Sequence, residues 1–129
     1  MLHLDLATLV VAEYDEAIAF FVDVIGFTLE ADDDLGGGKR WVVVRPDVSG
    51  AGILLARAAD EHQVPAIGLQ TGGRVTFFLH TDDLERNVAE WRSRGVRFTE
   101  DPRAEPYGKV IVFLDLYGNR WDLIEPHRR

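Results

Sequence analysis

A carboxylate set inside an apolar strand is the first feature of this chain that could do chemistry. In "DLYGNRWDLIEP", residues 115–126, a tight turn over Leu116-Tyr117-Gly118-Asn119 leads into a strand whose Asp122 lies between Trp121 and Leu123. A buried carboxylate left alone carries a large desolvation cost, so Asp122 needs an arginine, a ligand group or a metal ion. Arg40 and Arg120 are the arginines placed to serve it. A second reactive group, His80, ends the strand "RVTFFLH". Side chains alternate along a strand, which puts Thr76, Phe78 and His80 on one face and Val75, Phe77 and Leu79 on the other. The same rule sets Arg120 and Asp122 opposite Trp121 and Leu123. If the Thr76 face lines a pocket, then Thr76, His80, Asp122 and Arg120 share it, and His80 could act there as a general base or a hydrogen-bonding group. The plainer alternative is a half-exposed histidine bonded to a loop carbonyl.

Other stretches narrow the field. "LGGGKRWVVVRP", 35–46, has three consecutive glycines but neither the helix after them nor the Gly-Lys-Ser/Thr ending of a phosphate loop. It reads as a hairpin or a loop over a cavity mouth. Arg40 and Trp41 then point to opposite faces, Arg40 as a possible anion clamp and Trp41 as a stacking wall or a core residue. The loops "QTGGR" and "EPYGK" offer Gln70 and Tyr107 as rim residues. "EADDD", 30–34, lacks the spacing of a calcium loop and is expected as a solvated turn. His3, His62 and His127 share no spacing with any acid. Ser49 and Ser93 are the two serines and neither sits in a nucleophile elbow. There is no cysteine, which excludes thiolate chemistry and fits a reducing cytoplasm. A net charge of −8, with basic residues scattered apart from small groups at Arg92, Arg94, Arg97 and at Arg128, Arg129, excludes a nucleic-acid partner. No apolar run is long enough to cross a membrane, and "MLHLDLATLVV" carries Asp5 where a signal peptide would be basic or apolar.

The elements that must position these residues are written twice. Residues 6–27 give a strand, then a helix with apolar Tyr14, Ala17, Ile18, Phe21 and Ile25, closed by Gly26. Residues 74–103 give a strand, acidic Asp82 and Asp83 at a helix start, apolar Leu84, Val88 and Trp91, and Gly95 as the stop. Glu13 and Asp82 are 69 residues apart, and so are Gly26 and Gly95. Three strands follow each helix: 27–30, 40–45 and 52–58 in the first half, 96–99, 109–115 and 120–125 in the second. The chain is thus one domain of two βαβββ modules, about 1–58 and 74–129, joined by a linker at 59–73.

Paired βαβββ modules, the helix opening "EYDEAIAFFVDVIGF" and the closing "DLYGNRWDLIEP" resemble the vicinal oxygen chelate superfamily of glyoxalase I, extradiol dioxygenases and bleomycin resistance proteins. The resemblance covers nearly the whole chain. It implies an α+β fold, modules curled into an incomplete barrel, and a homodimer. Metal-using members of that family take ligands from about four positions to bind a cation that chelates substrate oxygens. Carried over one at a time, the first-strand histidine falls on Leu6 and its counterpart in the second half on Thr76. The strand 52–58 supplies no acid, and the last position holds Asp122. No cofactor is therefore expected, and a divalent metal would need a rearranged ligand set. The resulting expectation is a cytoplasmic small-molecule binder, its site drawing on Arg40, Trp41, Thr76, Phe78, Tyr107, Phe113 and Arg120, with Trp121 as a further wall. The alternative is a lyase, isomerase or dioxygenase of the same superfamily using His80 and Asp122 on an oxygenated metabolite.

Overall fold

In the computed structural model, residues 1–127 are described; the Arg128, Arg129 pair lies outside them. The chain divides into two compact units at Gly68/Leu69, inside the expected 59–73 connection. Each unit is a sheet with one main helical segment, and the first also carries a short 3-10 turn at Val64–Ala66.

In the first unit, β1 (Leu6–Val11), β2 (Thr28–Gly36), β3 (Lys39–Arg45) and β4 (Gly52–Arg57) form a sheet in the order β1-β4-β3-β2. β1 runs parallel to β4, and the other pairs are antiparallel. Leu9, Leu55 and Val42 line up across three strands, all fully buried. Tyr14, Ala17, Phe21 and Ile25 supply the buried helical positions. Burying such side chains is worth about 1.5–3 kcal/mol each, which is what holds a short helix in place.

The helical segment departs from the 3.6-residue expectation. It is α-helical only over Tyr14–Ile18 (α1) and winds as a π-helix over Ala19–Ile25. The two successive steps of four, Ala17 to Phe21 to Ile25, suit the wider turn, and Gly26 N–H donates to Phe21 O five residues back. Gly26 then adopts φ 100°, the left-handed conformation expected of it. "EADDD" is also corrected: it is not a turn but part of β2, exposed along the sheet edge. Three aspartates on an edge strand disfavour pairing with another chain, so the residue types suit the place even though they are poor strand formers.

In the second unit, β5 (Val75–His80), β6 (Arg97–Phe98), β7 (Arg103–Glu105), β8 (Gly108–Leu114) and β9 (Arg120–Pro126) form a sheet in the order β5-β9-β8-β6, with β7 also paired to β8. β5 runs parallel to β9, repeating the β1–β4 relation. The strand expected at 96–99 is shorter, and a further strand, β7, follows it on the same edge of β8. Pro102, with no N–H to give, stands in the break. α2 (Leu84–Ser93) begins at Asp83, whose carboxylate accepts from Arg86 N–H, and buries Leu84, Val88 and Trp91. Glu125 Oε1, from β9, accepts from Leu84 N–H at 3.0 Å and pins the helix start to the sheet.

Candidate functional site

The turn "DLYGN" aims β9, and Asp115 builds that turn. Asp115 Oδ1 accepts from the backbone N–H groups of Tyr117 and Asn119, both at 3.0 Å, and Oδ2 accepts from Asn119 Nδ2 at 3.1 Å and Trp121 Nε1 at 3.0 Å. Asp115 is buried, and these donors take up its charge. The sequence reading passed over Asp115; its signal was an aspartate placed before Gly-Asn with a tryptophan six residues on.

Trp121, held by its indole N–H, sets which face each β9 residue takes. Its ring lies 5.6 Å from Phe113 and 4.7 Å from Phe77, and Phe113 in turn lies 5.0 Å from Trp91 of α2. The Trp121 face of the sheet is therefore the helix-covered core. Phe113, expected in the binding wall, is fully buried in that core, as Trp121 is. Alternation along β8 explains the correction, because Phe113 is paired with Trp121 and not with Asp122.

The opposite, helix-free face is ordered in rows. Phe78, Asp122 and Val112 form one row across β5, β9 and β8. His80, Ile124, Val110 and Arg103 form the next. Arg120, Leu114 and Arg97 form the row on the other side. Asp122 is 6% exposed, while its neighbour Phe78 is 65% exposed. Asp122 Oδ1 is buried without a hydrogen-bond partner among the described residues. Burial is the main cause that pushes the Asp122 carboxyl above the usual aspartate range; the Arg103 charge pulls it partly back, and Glu100 pushes it up again.

Neither expected arginine partner bonds Asp122 Oδ1. Arg40 lies on the helix side of the first unit, paired to Asp32 at 2.7 Å and Asp15 at 2.8 Å, with its guanidinium 5.1 Å from the Tyr14 ring centroid. Arg120 is exposed and makes no hydrogen bond to Asp122 Oδ1. The charge that does act on Asp122 belongs to Arg103 of β7; Arg103 itself bonds Glu105 at 2.9 Å and pairs with Glu100. His80 is exposed at the end of β5 and makes no hydrogen bond to Asp122. Thr76 sits at a register irregularity between Val75 and Phe77, with its hydroxyl 3.0 Å from that of Thr71. Trp41, 40% exposed, stands opposite Asp33 in the first unit, and Tyr107, 51% exposed, is in the turn between β7 and β8.

Two further features bear on what could be bound. A groove of about 410 Å³ on the β2–β3 hairpin is lined by Asp32, Asp34, Gly36, Gly37, Gly38 and Arg40. Its polar groups satisfy one another, Arg40 with Asp32 and Asp34 Oδ1 with Gly36 N–H. Among the described residues, no three His, Cys, Asp or Glu side chains converge as a metal site. With Leu6 and Thr76 at two of the family's ligand positions and no acid on β4, the donor set does not fit a divalent cation.

A family model described as Glyoxalase/Bleomycin resistance protein/Dioxygenase superfamily matches residues 3–123. An uncharacterized protein from Shewanella frigidimarina (strain NCIMB 400) is 48% identical over 123 residues, covering 91% of this chain and 88% of that protein. The crystal structure of UcmS2 superposes with a TM-score of 0.85 at 26% identity, covering 97% of this chain and 98% of that one. TnmS3, described as an antibiotic binding protein from Streptomyces sp. CB03234, superposes with a TM-score of 0.80 at 27% identity, covering 98% of each chain.

Proposed function

From the membership of this chain in the glyoxalase/bleomycin resistance protein/dioxygenase superfamily, we propose that it binds a small organic molecule of the antibiotic kind, without a resident catalytic metal. The binding surface is the helix-free face of the second sheet. One observation carries this reading: a buried carboxylate with an unbonded oxygen, Asp122, lies beside an exposed aromatic ring, Phe78, in the same row. An unmet buried acceptor costs about 1–3 kcal/mol, which a ligand donor can recover on binding. An exposed ring supplies the apolar contact that ligand sites combine with a few placed polar groups. The likeness to an antibiotic binding protein at 27% identity supports the same reading.

The enzymatic alternative rests on His80 and Asp122 working together. They share a face but no hydrogen bond, so the geometry favours binding over proton transfer. A homodimer in the cytoplasm belongs to the same proposal, and sedimentation of the purified protein tests the first part of it.

The test is a thermal-shift screen of aromatic antibiotics, including bleomycin, doxorubicin and tetracycline, against the wild type and Phe78→Ala. A ligand at a hundred times its Kd stabilises the folded state by about 2.7 kcal/mol, which for a domain of this size raises Tm by roughly 8–12 °C. At least one compound should do so, and the shift should shrink in the variant. A folded protein whose Tm no compound moves would count against ligand binding on this face.

A further inference from the structure

The chemical class of the ligand can be read from Asp122. We propose that the helix-free face selects a ligand carrying a protonated amine beside an aromatic ring system, with the amine donating to the Asp122 carboxylate and the rings lying on Phe78. This rests on the binding reading above and adds the charge and the donor to it. The first support is geometric. Asp122 is more than nine-tenths buried, and Oδ1 has no donor from the described residues. The aspartate χ2 torsion is broad and two-fold, so a rotation of the carboxylate can present either oxygen to a donor arriving beside Phe78.

The second support is what surrounds that carboxylate. Its row neighbours are Phe78 and Val112, neither of which can donate a hydrogen bond. Of the charged groups on this face, Arg103 is taken up by both Glu100 and Glu105, and Arg120 and Arg97 lie one row away in pairing with Leu114. An anion or a hydrogen-bond acceptor would meet the carboxylate as repulsion. A neutral donor would satisfy it, and a cationic donor would both satisfy it and offset its buried charge, making a hydrogen bond roughly twice as strong. Phe78 favours the same ligand, because a ring face attracts a cation as well as an apolar surface.

The experiment is a fluorescence titration at pH 7 with doxorubicin, whose amine is protonated, and N-acetyldoxorubicin, which keeps the rings and loses the charge. Wild type and Asp122→Asn are compared, with far-UV circular dichroism and Tm confirming that the variant is folded. Both compounds should bind the wild type, doxorubicin about tenfold or more tightly, and that preference should vanish in Asp122→Asn. Equal binding of the two compounds overturns the amine assignment and leaves ligand binding standing. A preference that survives in Asp122→Asn also overturns it, assigning the effect to the overall charge of −8. Binding of neither compound overturns this proposal together with the aromatic ligand reading on which it rests.

Discussion

At Asp122 the protein buries a carboxyl whose ionisation costs stability. Burial raises the carboxyl above the ordinary aspartate value, so the folded state holds this proton more tightly than the unfolded chain does. The sign follows from linkage: the contribution is fully present below the unfolded value and is lost as pH rises through the folded one. The window therefore opens near pH 4 and extends upward. Asp122→Asn removes the charge and keeps the shape, so it should match the wild type at low pH and exceed it at pH 7 by about 1 kcal/mol. Urea denaturation of both proteins from pH 4 to 7 reads the difference directly. A variant less stable than the wild type at pH 7 would show that the carboxylate has a stabilising partner after all.

Among the elements, the β8–β9 connection decides most about the face. Asp115 satisfies backbone donors at Tyr117 and Asn119 and side-chain donors at Asn119 and Trp121. Asp115→Ala strands these buried groups and frees the Trp121 ring, and it should cost about 3–5 kcal/mol. Equilibrium urea unfolding at 25 °C checks this; a loss under about 1 kcal/mol would mean that the hairpin is held by its strands alone. The far end of the same hairpin is fixed differently. A Cβ placed on Gly108, at φ 149°, would come within 2.2 Å of Glu125 O, so the backbones there approach too closely for any side chain. Turn chemistry alone would favour glycine at this positive φ, and the close strand contact adds the stronger reason.

For the whole molecule, the −8 charge could suggest an appetite for divalent cations, but charge in bulk does not make a coordination site. Protein equilibrated with Mn²⁺, Zn²⁺ and Ni²⁺ and then dialysed should retain only substoichiometric metal by elemental analysis, identically in wild type and Asp122→Ala. One equivalent in the wild type that disappears in Asp122→Ala would restore chelate chemistry to this scaffold. Among the described residues, no helix is long and apolar enough to cross a membrane.

The sequence by itself determined the doubled strand–helix–strands order (though not the extra short strand β7), the helix starts and stops at Asp83, Gly26 and Gly95, and the alternation that sets Asp122 against Trp121. These are local properties, written in periodicities of two and near four and in residues with restricted backbones. Sequence also sets the expectation that the family's metal positions are unfilled here, because Leu6 and Thr76 lack the donors whatever fold surrounds them. Tertiary structure decided the rest. Trp91, Phe113 and Trp121 meet only when α2 folds over the sheet, so a pattern of apolar residues could not say which aromatics were core and which, like Phe78, were left exposed. Arg40 pairs away from Asp122, and Arg103 acts on it, for the same reason. A long cationic side chain goes to whichever carboxylates the fold brings within reach, and Asp15, Asp32, Glu100 and Glu105 were all candidates until the strands were in register.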